Sequence, residues 1–397
     1  VKHVLLHSGW QTTNIGDVGH TPGTLRFIEQ HIPEASVSVL LHDWSESVLA
    51  MLRQRFPRIT FIPREGKDYR PMKEHVSAFE KADLVIQNSG MLYNRFFQPD
   101  LRLMQMCIEA RKPFGLYGQS FDGFPNDQKT EVVELFNHAS FIYCRDTLSL
   151  QFLRSCEVKP RRLAFGPDGC FGTDLRNEEG ANELLQKLHL KAGEYLTVTL
   201  RTNSPNKGKA ENILNPAHLS AELIAENDRW ADQLRAVIIG WVLNTGRPVL
   251  LAPEVEKEVE MARTYLFDPL PHAIQSHVVG PETFWDLDTA ASIYAKARAM
   301  VAMEPHSCIL GIGAHTPSIH YYTPKHGQKA EMFADIGLHP WLLDIEEVQP
   351  DRVLDTLSKI DQDPESARQS ARQAMEYVEK TTAVNMQWIR KVLGLTN

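Results

Sequence analysis

The chain has 397 residues, of which 43% are hydrophobic and 23% charged, and a formal net charge of -8. That length exceeds a single ordinary core and suits two domains. Lys and Arg are nowhere concentrated into a stripe, which excludes nucleic acid as a partner and leaves anionic ligands to a local cationic pocket.

Short apolar runs alternate with amphipathic patterns. Val4–Leu6 reads as a strand, and the glycine-dotted stretch HSGWQTTNIGDVGHTPGTL, 7–25, follows it as a loop. Thr21-Pro22 is the expected helix start, a hydroxyl cap before Pro at the first helical position. Further strands are expected at Ser36–Leu41, Asp83–Gln87, Pro113–Tyr117 and Phe141–Cys144. Helices are expected at Ser47–Phe56, Leu101–Ala110, Lys129–Asn137 and Leu148–Ser155. The charged stretch Asp174–Lys191 reads as a pause. The pattern then restarts with strands Tyr195–Leu200, Pro248–Ala252, His277–Val279, Ala299–Met303, Ser318–Tyr322 and Leu342–Ile345. Helices Asp228–Leu243, Val255–Phe267, Leu287–Ala297 and Ser307–Ala314 lie between them, and two helical patterns close the chain near Leu393. This alternation predicts an α/β fold with two Rossmann-like domains, 1–176 and 190–397, whose parallel sheets face a cleft. In open sheets of this kind ligands bind beyond the carboxyl ends of the strands. The polar segment Thr202–Pro216 is a long loop of the sort that carries function.

Several charged groups stand just after predicted buried strands: Arg145 after FIYC, Arg201 after YLTVTL, His306 after AMVAMEP and Lys325 after SIHYYTP. Arg offers forked, bidentate contact to phosphate or carboxylate and Lys a point charge. His306 is the group among them that titrates near neutral pH. Asn14, Gly16 and Asp17 lie where backbone N–H groups and a helix dipole would meet an anion, although on these residues alone a plain strand-to-helix turn is the favoured explanation. Asp168 in PDGCF reads as a base or a turn former. Trp10, Tyr93, Phe96 and Phe97 are aromatics that could stack on a sugar or belong to the core. Five scattered cysteines with no CxxC read as free thiols in a reducing compartment. No HExxH or Cys/His cluster suggests a metal, and no apolar run is long enough for a membrane span. With no leader visible before the first strand, the expected location is cytoplasmic.

Taken in order, these stretches resemble the polysaccharide pyruvyl transferase family. The resemblance rests on NIGD (14–17), ADLVIQNSG (82–90), GLYGQSFDGF (115–124), CRDTLS (144–149), PDGCF (167–171), TVTLR (197–201), MEPHSCILGIGAHTPSIHYYTPKH (303–326) and EMFADIGL (331–338). It implies a fold like the two-domain GT-B glycosyltransferases. It also implies transfer of a pyruvyl group from phosphoenolpyruvate to a sugar of a surface or extracellular polysaccharide, forming a ketal. One departure stands out: Glu304 precedes Pro305-His306 where the family has Arg before Leu-His. A cation beside the donor site is thereby replaced by an anion, which could pair with Arg201 or Lys325, or anchor a sugar hydroxyl.

The expected chemistry assigns His306 and Glu304 to catalysis, with His306 protonating the methylene carbon of the donor. Asn14, Gly16, Asp17, Arg145, Arg201 and Lys325 are the donor-binding candidates. Trp10, Asn88 and Gln119 are the acceptor-binding ones. No cofactor or metal is required by this scheme. The partners are phosphoenolpyruvate and a sugar or glycan, and a homo-oligomer is left open. Two other readings stand beside it: a GT-B glycosyltransferase using a nucleotide-sugar donor, and a degenerate member that binds glycan without turnover.

Overall fold

The structure, a computed structural model, describes residues 1–64, 73–94, 101–125, 127–202 and 220–395. Phe96, Phe97 and the polar segment after Thr202 lie outside the described residues.

Two parallel sheets divide the chain. The first contains β1 (His3–Ser8), β2 (Ser36–Leu41), β3 (Thr60–Pro63), β4 (Leu84–Gln87), β5 (Phe114–Gln119), β6 (Phe141–Cys144) and β7 (Leu163–Phe165), in the order β3-β2-β1-β4-β5-β6-β7. The second contains β8 (Leu196–Thr199), β9 (Val249–Leu251), β10 (Val278–Val279), β11 (Ala299–Ala302), β12 (Ser318–Tyr322) and β13 (Leu342–Asp344), in the order β10-β9-β8-β11-β12-β13. The central strands are fully buried, LTVT in β8 and AMVA in β11 for example, as sheets covered on both faces require. Strand order reverses between β1 and β4 in one sheet and between β8 and β11 in the other. Those two points are where an open α/β sheet offers a crevice.

One apolar cluster runs from Val4, Leu6 and Phe27 on the first sheet to Val198, Trp230 and Val301 on the second, so the lobes share a core. Each fully buried side chain of this size contributes about 1.5–3 kcal/mol. A long final helix, Pro364–Val392, returns to the first sheet. There the Tyr143 hydroxyl donates to the Asn385 carbonyl at 3.1 Å, and the Trp388 indole donates to the Ser140 carbonyl at 3.0 Å.

Two expectations are corrected. The first helix begins at Ile15, not at Thr21, and Pro22 lies inside it. Asn14 is the cap: its side-chain oxygen accepts from the N–H groups of Gly16 and Asp17 at 2.7 and 3.3 Å. The Thr21 hydroxyl, free of any capping duty, bonds the Ser8 hydroxyl at 2.7 Å beneath the helix. The charged pause holds a helix, Glu178–Lys187, capped by Asn177 and buried through Ala181 and Leu185. Its polar residues face solvent, which is why its composition resembles a linker.

Candidate active site at the seam of the two sheets

The early helix start decides how the lobes meet. The Ile15 N–H donates to the Glu254 carbonyl at 3.0 Å, and the Glu256 N–H donates to the Thr13 carbonyl at 2.9 Å. A β-bridge thus joins Asn14 and Val255 across the seam. The glycines of the opening stretch serve close approach. A Cβ on Gly16 would lie 2.2 Å from His306 Nδ1, and one on Gly23 would lie 1.9 Å from the Gly169 carbonyl oxygen. Gly16 therefore seats His306 of the second lobe directly against the first helix. Asn14 and the second lobe already take the first N–H groups of this helix, and Asp17 accepts from the Gln11 amide.

Arg145 follows β6 and is 1% exposed. Its Nε donates to the Ser120 hydroxyl at 2.8 Å, and Ser120 in turn donates to Asp146 at 2.6 Å. Its Nη1 meets Asp168 Oδ2 at 2.5 Å. Asp168 is completely buried and also lies 3.3 Å from His20 Nε2 and 3.9 Å from His306 Nε2. Burial alone would push its carboxyl up; His20 and Arg145 outweigh that and hold it well below the usual range. Asp168 is thus a fixed negative charge, and it also caps the short turn Gly169–Gly172 through Cys170 N–H at 2.7 Å.

His306 follows β11, on the first turn of the helix Pro305–Gly313. Its Nδ1 lies 3.1 Å from Glu254 Oε1, while Glu254 Oε2 accepts from the Ser307 N–H at 2.6 Å and the Ser307 hydroxyl at 2.9 Å. His306 Nε2 is buried and, among the described residues, has no hydrogen-bond partner. Burial, reinforced by His20 and Arg145 against the pull of Asp168, lowers His306 to about 3. Burial and then the charge of Glu304 raise Glu254 to about 8. At neutral pH the pair is therefore an uncharged imidazole beside a largely protonated carboxyl, a different charge state from the titrating imidazolium expected from the sequence. Glu258, whose Oε2 accepts from the Glu254 and Val255 N–H groups, is pushed up well above its ordinary value by burial and by Glu304.

Glu304 takes one of the partners open to it: Arg201 Nη1 lies 2.7 Å from its Oε2. Burial opposes ionisation, but Arg201 and Lys329 prevail and Glu304 stays below its ordinary value. Arg201 and Lys329 line one recess with Pro305, Tyr322 and Thr323.

The structure thus brings Arg145, His306, Arg201 and Glu304 to the facing strand ends, together with Asn14, Gly16 and Asp17. It places Lys325 elsewhere: its ammonium pairs with Glu226 and its side chain is 52% exposed. The Asn88 amide is fully engaged, donating to Ser8 Oγ and the His20 carbonyl and accepting from Thr24 Oγ1. Gln119 donates to the Asn88 carbonyl and accepts from Leu92 N–H. Trp10 donates to the Ser89 carbonyl and packs edge-on against His7. Tyr93 is buried, stacked near Phe121. Among the described residues, His20, Asp168, Cys170 and His306 each bring one donor atom within 4.8 Å of the others. Arg145 already neutralises Asp168, and the Cys170 thiol, pushed up by burial and then Asp168, donates to the Gly16 carbonyl. The group reads as the buried Arg145–Asp168 ion pair with two imidazoles and a thiol packed against it.

Glu254, His20 and Lys329 were not singled out in the sequence. Glu254 was within reach of the same rule that found the others, because it follows β9 through Ala252-Pro253. His20 becomes visible only once the helix is known to begin at Ile15. Lys329 carries no local signal.

Two sheets of parallel strands, joined at the carboxyl ends of their switch-point strands, define a GT-B-like α/β protein. The polysaccharide pyruvyl transferase family model matches residues 14–325, and the chain belongs to that family. Solved structures share the fold at low identity. The UDP complex of S. aureus MnaA is 12% identical, covers 100% of this chain and 98% of its own, and has a TM-score of 0.59. Anabaena Alr3699/HepE with UDP-glucose is 12% identical with full coverage of both chains and a TM-score of 0.58. E. coli ADP-heptose lps heptosyltransferase II is 13% identical, covers 92% of this chain and 100% of its own, and has a TM-score of 0.53. No curated protein sequence matches the chain. No helix among the described residues is long and apolar enough to cross a membrane.

Proposed function

We propose that the protein transfers a pyruvyl group from phosphoenolpyruvate to a sugar of a surface or extracellular polysaccharide. The observation that carries this reading is the family match over 14–325, a span that contains Arg145, Arg201 and His306 and so reaches both lobes of the seam. The donor has a carboxylate and a phosphate; the partly exposed Arg201 stands at a strand end where such groups would be met, while Arg145 backs the seam through Asp168.

The charge states suggest how a proton reaches the methylene carbon. Protonated Glu254 hands its proton to His306 Nδ1 while His306 Nε2 gives its own to the methylene. The imidazole stays neutral throughout, and the acid is the Glu254–His306 pair. The electron pair of the double bond forms the new C–H bond, and a sugar hydroxyl adds to the cationic carbon, losing its proton. Phosphate leaves, and a neighbouring hydroxyl closes the ketal. One hydroxyl proton is retained in the methyl group and the other departs with hydrogen phosphate, so the step balances. Such general acid catalysis contributes roughly 10²–10⁴-fold.

The test is phosphate release from phosphoenolpyruvate with a panel of mono- and oligosaccharides, run beside UDP- and GDP-sugars. Acceptor-dependent phosphate release with a new ketal in the product supports the reading. Turnover of a nucleotide sugar instead, or saccharide binding with no turnover of any donor, overturns it.

A further inference from the structure

Lys329 lies in a short turn, Gln328–Ala330, held to the first lobe on both sides. Before it, Gln328 Nε2 donates to the Phe121 carbonyl at 2.7 Å. After it, Asp335 accepts from the Thr147 N–H and hydroxyl, both at 2.8 Å. The turn therefore bridges the seam and carries Lys329 into it. The charged groups that its ammonium feels come from both lobes: Arg201 after β8, Arg145 after β6, Glu304 after β11, and Asp17 on the first helix; His306 feels Lys329 in return.

Among the described residues Lys329 has no ion pair and no side-chain hydrogen bond. The carboxylates that face it are engaged, Glu304 by Arg201 and Asp17 by Gln11. Lys257 is a further cation close to Arg201 and Glu304. Glu254 and Glu258, which could balance these charges, are pushed towards their neutral forms by burial. The recess shared by the half-buried Arg201 and Lys329 thus carries a surplus of positive charge. Burial and the two arginines drive the Lys329 ammonium down to about 8. Like charges held together in a partly buried recess repel one another, and an anion that enters offsets that cost. The recess is small and lies against Pro305, Tyr322 and Thr323, so it suits a compact anion at its mouth better than a whole nucleotide sugar.

We propose that Lys329 and Arg201 form the seat for a phosphate dianion, the phosphate of the donor. Arg201 supplies a planar fork and Lys329 a point charge. The proposal rests on the reading of the chain as a phosphoenolpyruvate-dependent transferase for the donor's identity, though not for the existence of the anion seat.

The experiment titrates inorganic phosphate and, separately, phosphoenolpyruvate into wild type, Lys329→Ala, Lys329→Arg and Lys187→Ala by calorimetry, with thermal melts to confirm that each is folded. Lys187, paired with Glu282 on the surface, controls for loss of a charge. The expected result is an affinity for both ligands that falls about tenfold or more in Lys329→Ala, is largely kept in Lys329→Arg and is unchanged in Lys187→Ala. Equal affinity in wild type and Lys329→Ala overturns the proposal while leaving the transferase reading intact, as does failure of the wild type to bind phosphate at all. Loss of phosphate binding in Lys329→Ala, in a protein that does not bind or turn over phosphoenolpyruvate, supports the seat and overturns the donor assignment instead.

Discussion

The imidazole of His306 and the carboxyl of Glu254 lie 3.1 Å apart, both buried, with their proton affinities displaced in opposite directions, to about 3 and about 8. Glu254 is bound on its other oxygen by both donors of Ser307, so the carboxyl cannot swing away from the ring. The pair is oriented as well as tuned, and it holds one mobile proton at neutral pH.

Replacing Glu254 with Gln removes that proton while keeping the shape. Turnover should fall by roughly 10²-fold or more with the fold retained, read by steady-state kinetics beside a thermal melt. The linkage has a definite sign. Glu254 binds a proton more tightly folded than unfolded, so its contribution to wild-type stability declines as pH rises from about the ordinary Glu value of 4.5 towards about 8. The melting temperature of Glu254→Gln relative to wild type should therefore climb across that window. A constant difference from pH 5 to 9 would mean that Glu254 is already ionised.

His306 runs the other way. Its folded affinity lies below its unfolded one, so its contribution to stability is lost as pH falls through 6.5 towards 3. In His306→Gln that acid-side loss should shrink, and turnover should drop near background. An unchanged acid limb in the melting curve would count against a neutral buried imidazole.

Asp168→Asn leaves Arg145 buried, with no ionised partner at Oδ2. Breaking a buried pair from one side costs about 3–5 kcal/mol. Urea unfolding should show a loss of that order, and a loss below 1 kcal/mol would show that Arg145 reaches another anion or water.

Gly16→Ala puts a methyl group where the His306 ring sits, at a point where a Cβ would come within 2.2 Å of Nδ1. The ring or the seam must shift, so turnover should fall more than stability does. Wild-type kinetics in this variant would show that the seam is looser than the packing indicates.

For the Lys329 seat, phosphate affinity should weaken as pH rises through about 8, where the free ammonium loses its charge. In Lys329→Arg the guanidinium remains charged, so the decline should be markedly shallower than in wild type. A parallel decline in both proteins would place the titrating group elsewhere, at Glu254, which is raised to about 8 and feels Arg201.

Much of this fold was legible because its strands are short, apolar and punctuated. FIYC, TVTL and AMVA could be read as strands buried on both faces, and the groups after them, Arg145, Arg201 and His306, do stand at the strand ends. Other parts could not be read locally. β7 is three residues long, with all three only partly buried, so it carries no strong apolar signal. The first helix hides its start because its glycines mimic a loop, while their reason lies in Gly169 and His306, distant in sequence. The charge states of Glu254 and Lys329 arise from desolvation and from neighbours on other strands, which spacing does not encode. The sequence singled out Lys325 as the cation after β12, whereas the turn beyond it delivers Lys329 to the seam.

The most direct test is a crystal structure of the wild-type protein with phosphoenolpyruvate. Density should show the phosphate on Arg201 and Lys329, with the methylene within reach of His306 Nε2. Phosphoenolpyruvate bound away from the seam, or a nucleotide diphosphate taking Arg201 and Lys329 in its place, would contradict the assignment.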